Sequence, residues 1–227
     1  MKKMLLLHGA IGALEQLNPL KEELSGKYEV HSINFTGHGG SEIPNAPFSI
    51  EMFADDIIGY IDKNDLAGIN IFGYSMGGYA ALYAALMKPG KLGKIFTLAT
   101  KFDWSNEIAE REVKMLDAQK IKQKVPKFAE ELSARHGTDK WVTVLEKTAE
   151  MMLALGRNNL LTEEALGNIN NEVLVGIGDR DKMVSIEESI AAYRSLPKAK
   201  LLVMPGTTHP IEQVDVNRLI FEIERIF

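Results

Sequence analysis

The chain has 227 residues, 45% of them hydrophobic and 25% charged, with a formal net charge of −5 and no cysteine. Length and apolar content suffice for one substantial core. The lack of cysteine excludes a thiol nucleophile, a disulfide framework and a thiolate metal site, and the acidic balance leaves no electrostatic footprint for nucleic acid.

The first apolar run, Met4–Leu7, predicts a short strand that ends in the Gly-rich loop His8-Gly9-Ala10-Ile11-Gly12. Its basic start imitates a signal peptide, but the apolar run is too short and His8-Gly9 interrupts it. No run approaches the roughly 20 apolar residues that span a membrane, so a soluble, cytoplasmic protein with no membrane partner is expected. A helical pattern follows over 14–25, then a second strand over 28–34 and the turn Gly37-His38-Gly39-Gly40-Ser41. A further helical pattern over 50–63 precedes a third apolar strand over 69–73.

That third strand runs into Gly73-Tyr74-Ser75-Met76-Gly77, a G-x-S-x-G pentapeptide, and an Ala-rich helical stretch over 76–87 follows. A strand, a sharp turn and a helix in that order hold the serine hydroxyl at the C-terminal edge of a sheet. The helix N-terminus beside it favours developing negative charge. Acyl transfer needs two N–H donors aimed at the oxyanion. Met76, just after the serine, would supply one, and Ala10 or Ile11, on the loop after the first strand, the other.

A fourth strand is predicted over 94–99, and residues 101–168 then break the alternation. They are rich in charge, carry apolar residues at helical spacing, and are punctuated by Pro126, Gly137 and Gly156 into several short helices. Strands over 172–177 and 200–204 resume it, with helical patterns over 186–195 and 210–226. Strand and helix alternating in this way predict an α/β domain: a mostly parallel sheet of about six strands, covered by helices on both faces.

Two more strand ends carry chemistry. Asp179 and Asp181 follow the fifth strand, and either could fix the tautomer of a histidine base. Asp179-x-Asp181 lacks the further oxygen ligands of a calcium loop. His209 follows the sixth strand, and Pro210 can open the next helix. The order Ser75, Asp, His209 is the one expected of a hydrolase built on an α/β sheet. No two histidines or carboxylates show metal-ligand spacing, and no cofactor is needed.

With these motifs the chain resembles the α/β-hydrolase family over nearly its whole length. The likeness is carried by Leu7-His8-Gly9, Gly37-His38-Gly39-Gly40-Ser41, Gly73-Tyr74-Ser75-Met76-Gly77-Gly78, Gly178-Asp179-Arg180-Asp181-Lys182-Met183-Val184 and His209-Pro210. The resemblance implies the acid of a G-x-x-D-x-x-V pattern, which selects Asp181 over Asp179; Asp103, at another strand end, is the lesser alternative. It implies a core domain of 1–100 and 169–227 with a helical cap at 101–168. Tyr74 of the elbow and the apolar Trp104, Trp141 and Met151 of the 101–168 segment are the candidate substrate-binding residues.

Many members carry two strands before the His-Gly strand. Here the chain starts almost at that strand, so the resemblance places 28–34 at an open edge, where a second copy could pair to give a homodimer. The expected function is hydrolysis of a small-molecule carboxylic ester through an acyl-enzyme, as in a carboxylesterase. Thioesterase, lactonase or carbon–carbon bond hydrolase chemistry on the same triad is the alternative, and a noncatalytic receptor that keeps the fold is the rival from another class. Lyase members usually hold an arginine just after the elbow glycines, whereas this chain has Tyr79.

Overall fold

Short apolar runs bounded by turns pair as parallel strands, because connections long enough to hold a helix separate them. The computed structural model describes residues 1–227. The strands are β1 (Lys2–Leu7), β2 (Tyr28–Ile33), β3 (Ile69–Tyr74), β4 (Leu92–Leu98), β5 (Val173–Gly178) and β6 (Ala199–Met204). They form one sheet in the order β2-β1-β3-β4-β5-β6, and every neighbouring pair is parallel. Every residue of β5 is buried, as expected for a strand covered on both faces.

A 3₁₀ turn (Leu14–Leu17) and α1 (Asn18–Leu24) link β1 to β2, and α2 (Ile50–Lys63) links β2 to β3. Helix α3 (Met76–Met87) leads from β3 to β4. Between β4 and β5 come α4 (Asn106–Glu112), α5 (Ala118–Lys124), α6 (Pro126–His136), α7 (Trp141–Arg157) and α8 (Glu163–Gly167). Helix α9 (Ile186–Ser195) precedes β6, and α10 (Val216–Ile226) closes the chain. No helix is long and apolar enough to cross a membrane.

Successive strand residues face opposite layers. Met4 and Leu6 of β1 join Leu20 and Leu24 of α1 and Leu219 and Ile223 of α10. Leu5 and Leu7 join Ile57 and Ile61 of α2 and Ala80 and Ala84 of α3 on the other side. Met151 and Leu155 of α7 belong to that second layer, so the helices after β4 pack onto the sheet domain. Trp141, Leu145, Ile121 and Leu132 form a small core among those helices.

Two predicted helices differ in detail. The run over 14–25 opens as a 3₁₀ turn before α1. The run over 210–226 divides into a 3₁₀ turn (Ile211–Gln213) and α10, because the Asp215 side chain accepts the Arg218 N–H at 3.1 Å and caps a new start.

The chain leaves β1 towards β2 and returns to β3 on the other side of β1. The reversal opens a crevice beyond the strand C-termini, the usual place for a ligand in an open α/β sheet.

Candidate active site

Ser75 lies between β3 and α3 with φ 51° and ψ −117°. A non-glycine residue there costs on the order of 1–3 kcal/mol and persists only when its surroundings hold it. Its N–H donates to Leu98 O at 2.8 Å, and its carbonyl accepts from Gly78 N–H at 3.0 Å and from Thr100 Oγ1 at 2.9 Å. The neighbouring glycines permit the turn. A Cβ on Gly73 would stand 2.6 Å from Gly78 Cα, and one on Gly77 would stand 2.6 Å from His8 O. Strand and helix therefore cross at a distance no side chain allows.

Asp181 follows β5 and is held from two directions. Its Oδ1 accepts from Met183 N–H at 2.8 Å and Val184 N–H at 2.9 Å. Its Oδ2 lies 2.7 Å from His209 Nδ1, and the carboxylate side chain is fully buried. Burial pushes the Asp181 carboxyl up, but the His209 hydrogen bond and charge, with the two backbone N–H donors, outweigh it and leave it below its ordinary value. The contact assigns the proton to Nδ1 and leaves Nε2 as the basic nitrogen. His209 is steadied further by Tyr74 Oη, which donates to its carbonyl at 3.1 Å. Neither of these contacts reaches Ser75 Oγ, and the nucleophile–base bond commonly tightens only once substrate is bound.

The two alternative acids serve elsewhere. Asp179 Oδ1 accepts from Gly206 N–H at 2.6 Å and ties the turns after β5 and β6. Asp103 is exposed, and its N–H faces Glu188 Oε1 at 3.4 Å.

The loop after β1 is braced by histidines. Buried His8 donates through Nδ1 to Gly9 O at 2.8 Å and accepts through Nε2 from Phe35 N–H at 3.1 Å. Burial pushes its imidazole down to about 4. His38 and His136 are also lowered, chiefly by burial. Ile11 has φ 51°, a genuine outlier for a β-branched residue. Its carbonyl accepts from Arg135 Nη1 at 3.0 Å and His136 Nε2 at 2.8 Å, both from α6.

Ser75 and His209 open into one cavity of about 530 Å³, which Ala10, Ile11 and Met76 also line. Tyr74, Trp104 and Met151 line it too. Trp141 does not: it is buried among Ile121, Ala129 and Leu132, with Lys122 Nζ 5.2 Å from its ring centre. The substrate-binding expectation for Trp141 is therefore corrected; it packs the helices after β4 against each other.

The sequence reading missed the charged lining. Lys101 meets Glu188 at 3.6 Å and Glu112 at 3.9 Å, and Arg135 meets Glu212 at 3.9 Å. Glu188 and Glu212 come from segments distant in sequence, and no local pattern links them to Lys101 and Arg135. Tyr79 also lines the cavity; its Oη donates to Asn159 Oδ1 at 2.7 Å, and Asn159 Nδ2 donates to Phe102 O at 2.9 Å.

Known proteins share this arrangement of chain. A family profile described as alpha/beta hydrolase fold matches residues 2–140. The chain is 24% identical over 231 residues to a 2-(acetamidomethylene)succinate hydrolase of Mesorhizobium japonicum, covering 93% of this chain and 82% of that protein. It is 31% identical over 99 residues to a pimeloyl-[acyl-carrier protein] methyl ester esterase of Neisseria meningitidis, covering 44% of this chain and 37% of that one. A match to protein PHYLLO of Arabidopsis thaliana takes in 6% of that longer protein. Among solved structures, a thermophilic esterase from Thermogutta terrifontis superposes with a TM-score of 0.76 at 22% identity, covering 99% of this chain and 89% of that one.

Proposed function

The chain belongs to the alpha/beta hydrolase fold family, and on that premise we propose that it is a serine hydrolase cleaving a small-molecule carboxylic ester. The observation that carries the reading is the 2.7 Å contact between His209 Nδ1 and Asp181 Oδ2, with His209 and Ser75 facing the same cavity. Ser75 Oγ attacks the ester carbonyl and passes its proton to His209 Nε2. The N–H groups of Met76 and Ala10, or Ile11, stabilise the oxyanion. The tetrahedral intermediate expels the alcohol, which takes the proton from His209. Water, deprotonated by the same nitrogen, then attacks the acyl-enzyme; the acyl–Oγ bond breaks, His209 returns the proton to Ser75 Oγ, and the acid is released.

The lining supports an uncharged, largely apolar acyl group. Ile50, Leu116, Phe128, Met151, Met152 and Leu155 face the cavity, and Lys101 and Arg135 are each within ion-pair reach of carboxylates. A substrate carboxylate would have to displace one of those partners. In this reading residues 101–168 act as the cap. The unpaired outer edge of β2 is where two copies would join as a homodimer; a single monomeric mass by light scattering overturns that part.

The test is hydrolysis of p-nitrophenyl esters from acetate to palmitate, with Ser75→Ala as the blank. Turnover that disappears in the variant supports the reading, and the preferred chain length sizes the pocket. Absence of Ser75-dependent turnover on every ester overturns it and moves the search to thioesters, lactones and carbon–carbon bonds, or to a noncatalytic receptor.

A further inference from the structure

The strained loop beside Ser75 is held from outside the sheet domain. Ile11, in a left-handed conformation, follows Ala10, and these two are the alternative candidates for the loop's oxyanion donor, Met76 being the other donor. Nothing about a β-branched side chain favours that backbone. Two consecutive residues at the end of α6 grip the Ile11 carbonyl: Arg135 through Nη1 at 3.0 Å and His136 through Nε2 at 2.8 Å. The other nitrogen of His136, Nδ1, accepts from Gly39 N–H at 3.2 Å, which fixes the tautomer that donates to Ile11. His136 thus bridges the loops after β1 and β2. Arg135 also reaches Glu212 at 3.9 Å, three residues beyond His209. The end of one helix touches three of the loops at this sheet edge.

We propose that Arg135 and His136 are positioning residues that hold the oxyanion loop in its working shape, so that the oxyanion site is complete only while α6 is docked. The inference rests on the serine-hydrolase reading above. Its consequence is coupling. An outward movement of α6 that admits substrate also releases the Ile11 carbonyl, and the loop loses the contacts that sustain its strain. Stabilisation of the tetrahedral intermediate is then withheld until the helix returns.

The test compares Arg135→Met, His136→Phe and the double variant with the wild-type chain, each first shown to melt cooperatively. Three quantities are read: kcat and KM on p-nitrophenyl butyrate, inhibition by an alkyl trifluoromethyl ketone, and amide hydrogen exchange at residues 10–12. The expected result for the double variant is a kcat lower by about 10- to 100-fold with KM within about twofold. Inhibition by the ketone, whose hemiketal needs the oxyanion donors, weakens by the same factor. Exchange at residues 10–12 accelerates by about tenfold or more. Arg135→Lys, which keeps one donor, recovers part of the loss. Wild-type exchange and wild-type kcat in the double variant overturn the proposal, as does a loss carried by KM alone. If the wild-type chain hydrolyses no ester, the ester-hydrolase reading fails, and unchanged exchange at residues 10–12 in the double variant separately refutes the positioning role.

Discussion

His209 and Asp181 meet through a single carboxylate oxygen, because the other is already committed to the backbone of Met183 and Val184. The acid cannot turn away from its histidine without surrendering two N–H bonds. Asp181→Asn is therefore informative. Its amide oxygen keeps the two backbone donors, so its NH₂ faces Nδ1 and forces the proton of His209 onto Nε2. We expect kcat to fall about 10³- to 10⁴-fold with little change in KM, read by steady-state kinetics. A variant with near-normal kcat would show that His209 does not depend on this contact.

Stability should depend on pH through the buried histidines. The folded His8 is lowered from 6.5 to about 4, so the unfolded chain binds the proton first as pH falls. Stability is full above the unfolded value and is lost as pH drops towards the folded one. For His8 alone the loss over that window is about 3 kcal/mol. His38 and His136, lowered in the same sense, add to it. The depressed Asp181 carboxyl contributes above its unfolded value, near 3.9, and loses that contribution as pH falls through its lower folded value. Urea unfolding at pH 7 and pH 5 checks the histidine effect; equal midpoints would contradict it.

Gly77→Ala should damage the elbow. The added methyl would stand 2.6 Å from His8 O and 2.7 Å from Leu7 O, both backbone atoms that cannot swing aside. A destabilisation of about 1–3 kcal/mol is expected, with loss of Ser75 reactivity towards a fluorophosphonate. An unshifted melting temperature would mean that α3 can slide along β1.

Trp104 lines the cavity, and its Nε1 is buried without a hydrogen-bond partner. Trp104→Ala removes apolar wall and no required hydrogen bond. The preferred ester should lengthen, and kcat/KM on butyrate should fall about tenfold through KM. An unchanged chain-length profile would place the acyl group elsewhere in the cavity.

Much of the frame was legible because its signals are local. Each apolar run that became a strand ends in glycine or a polar turn, and Ser75, Asp181 and His209 stand just past three such ends. The strand limits over 28–34 and 69–73 came within one residue of those observed. The wall of the cavity was not legible. Helical spacing marks Trp141 as apolar without saying whether it faces a cavity or another helix, and Trp104 and Trp141 carry the same signal with opposite outcomes. The grip of Arg135 on Ile11 joins residues 124 apart through a hydrogen bond to a carbonyl, which leaves no trace in residue type. The break before α10 was carried by Asp215, whose cap is visible only once the apolar period is set aside.

The bond from Asn159 to Phe102 sets the end of α7 beside the segment that leaves β4, and Tyr79 pins Asn159 from the sheet domain. The helices between β4 and β5 leave and re-enter the sheet domain at neighbouring strands, so the segment can be shortened or enlarged while the strands keep their register. On the cap reading proposed above, substrate range becomes the property of a replaceable part. The one demand on any replacement is a pair of donors where Arg135 and His136 now stand, since without them the new lid would cover a loop free to lose its shape.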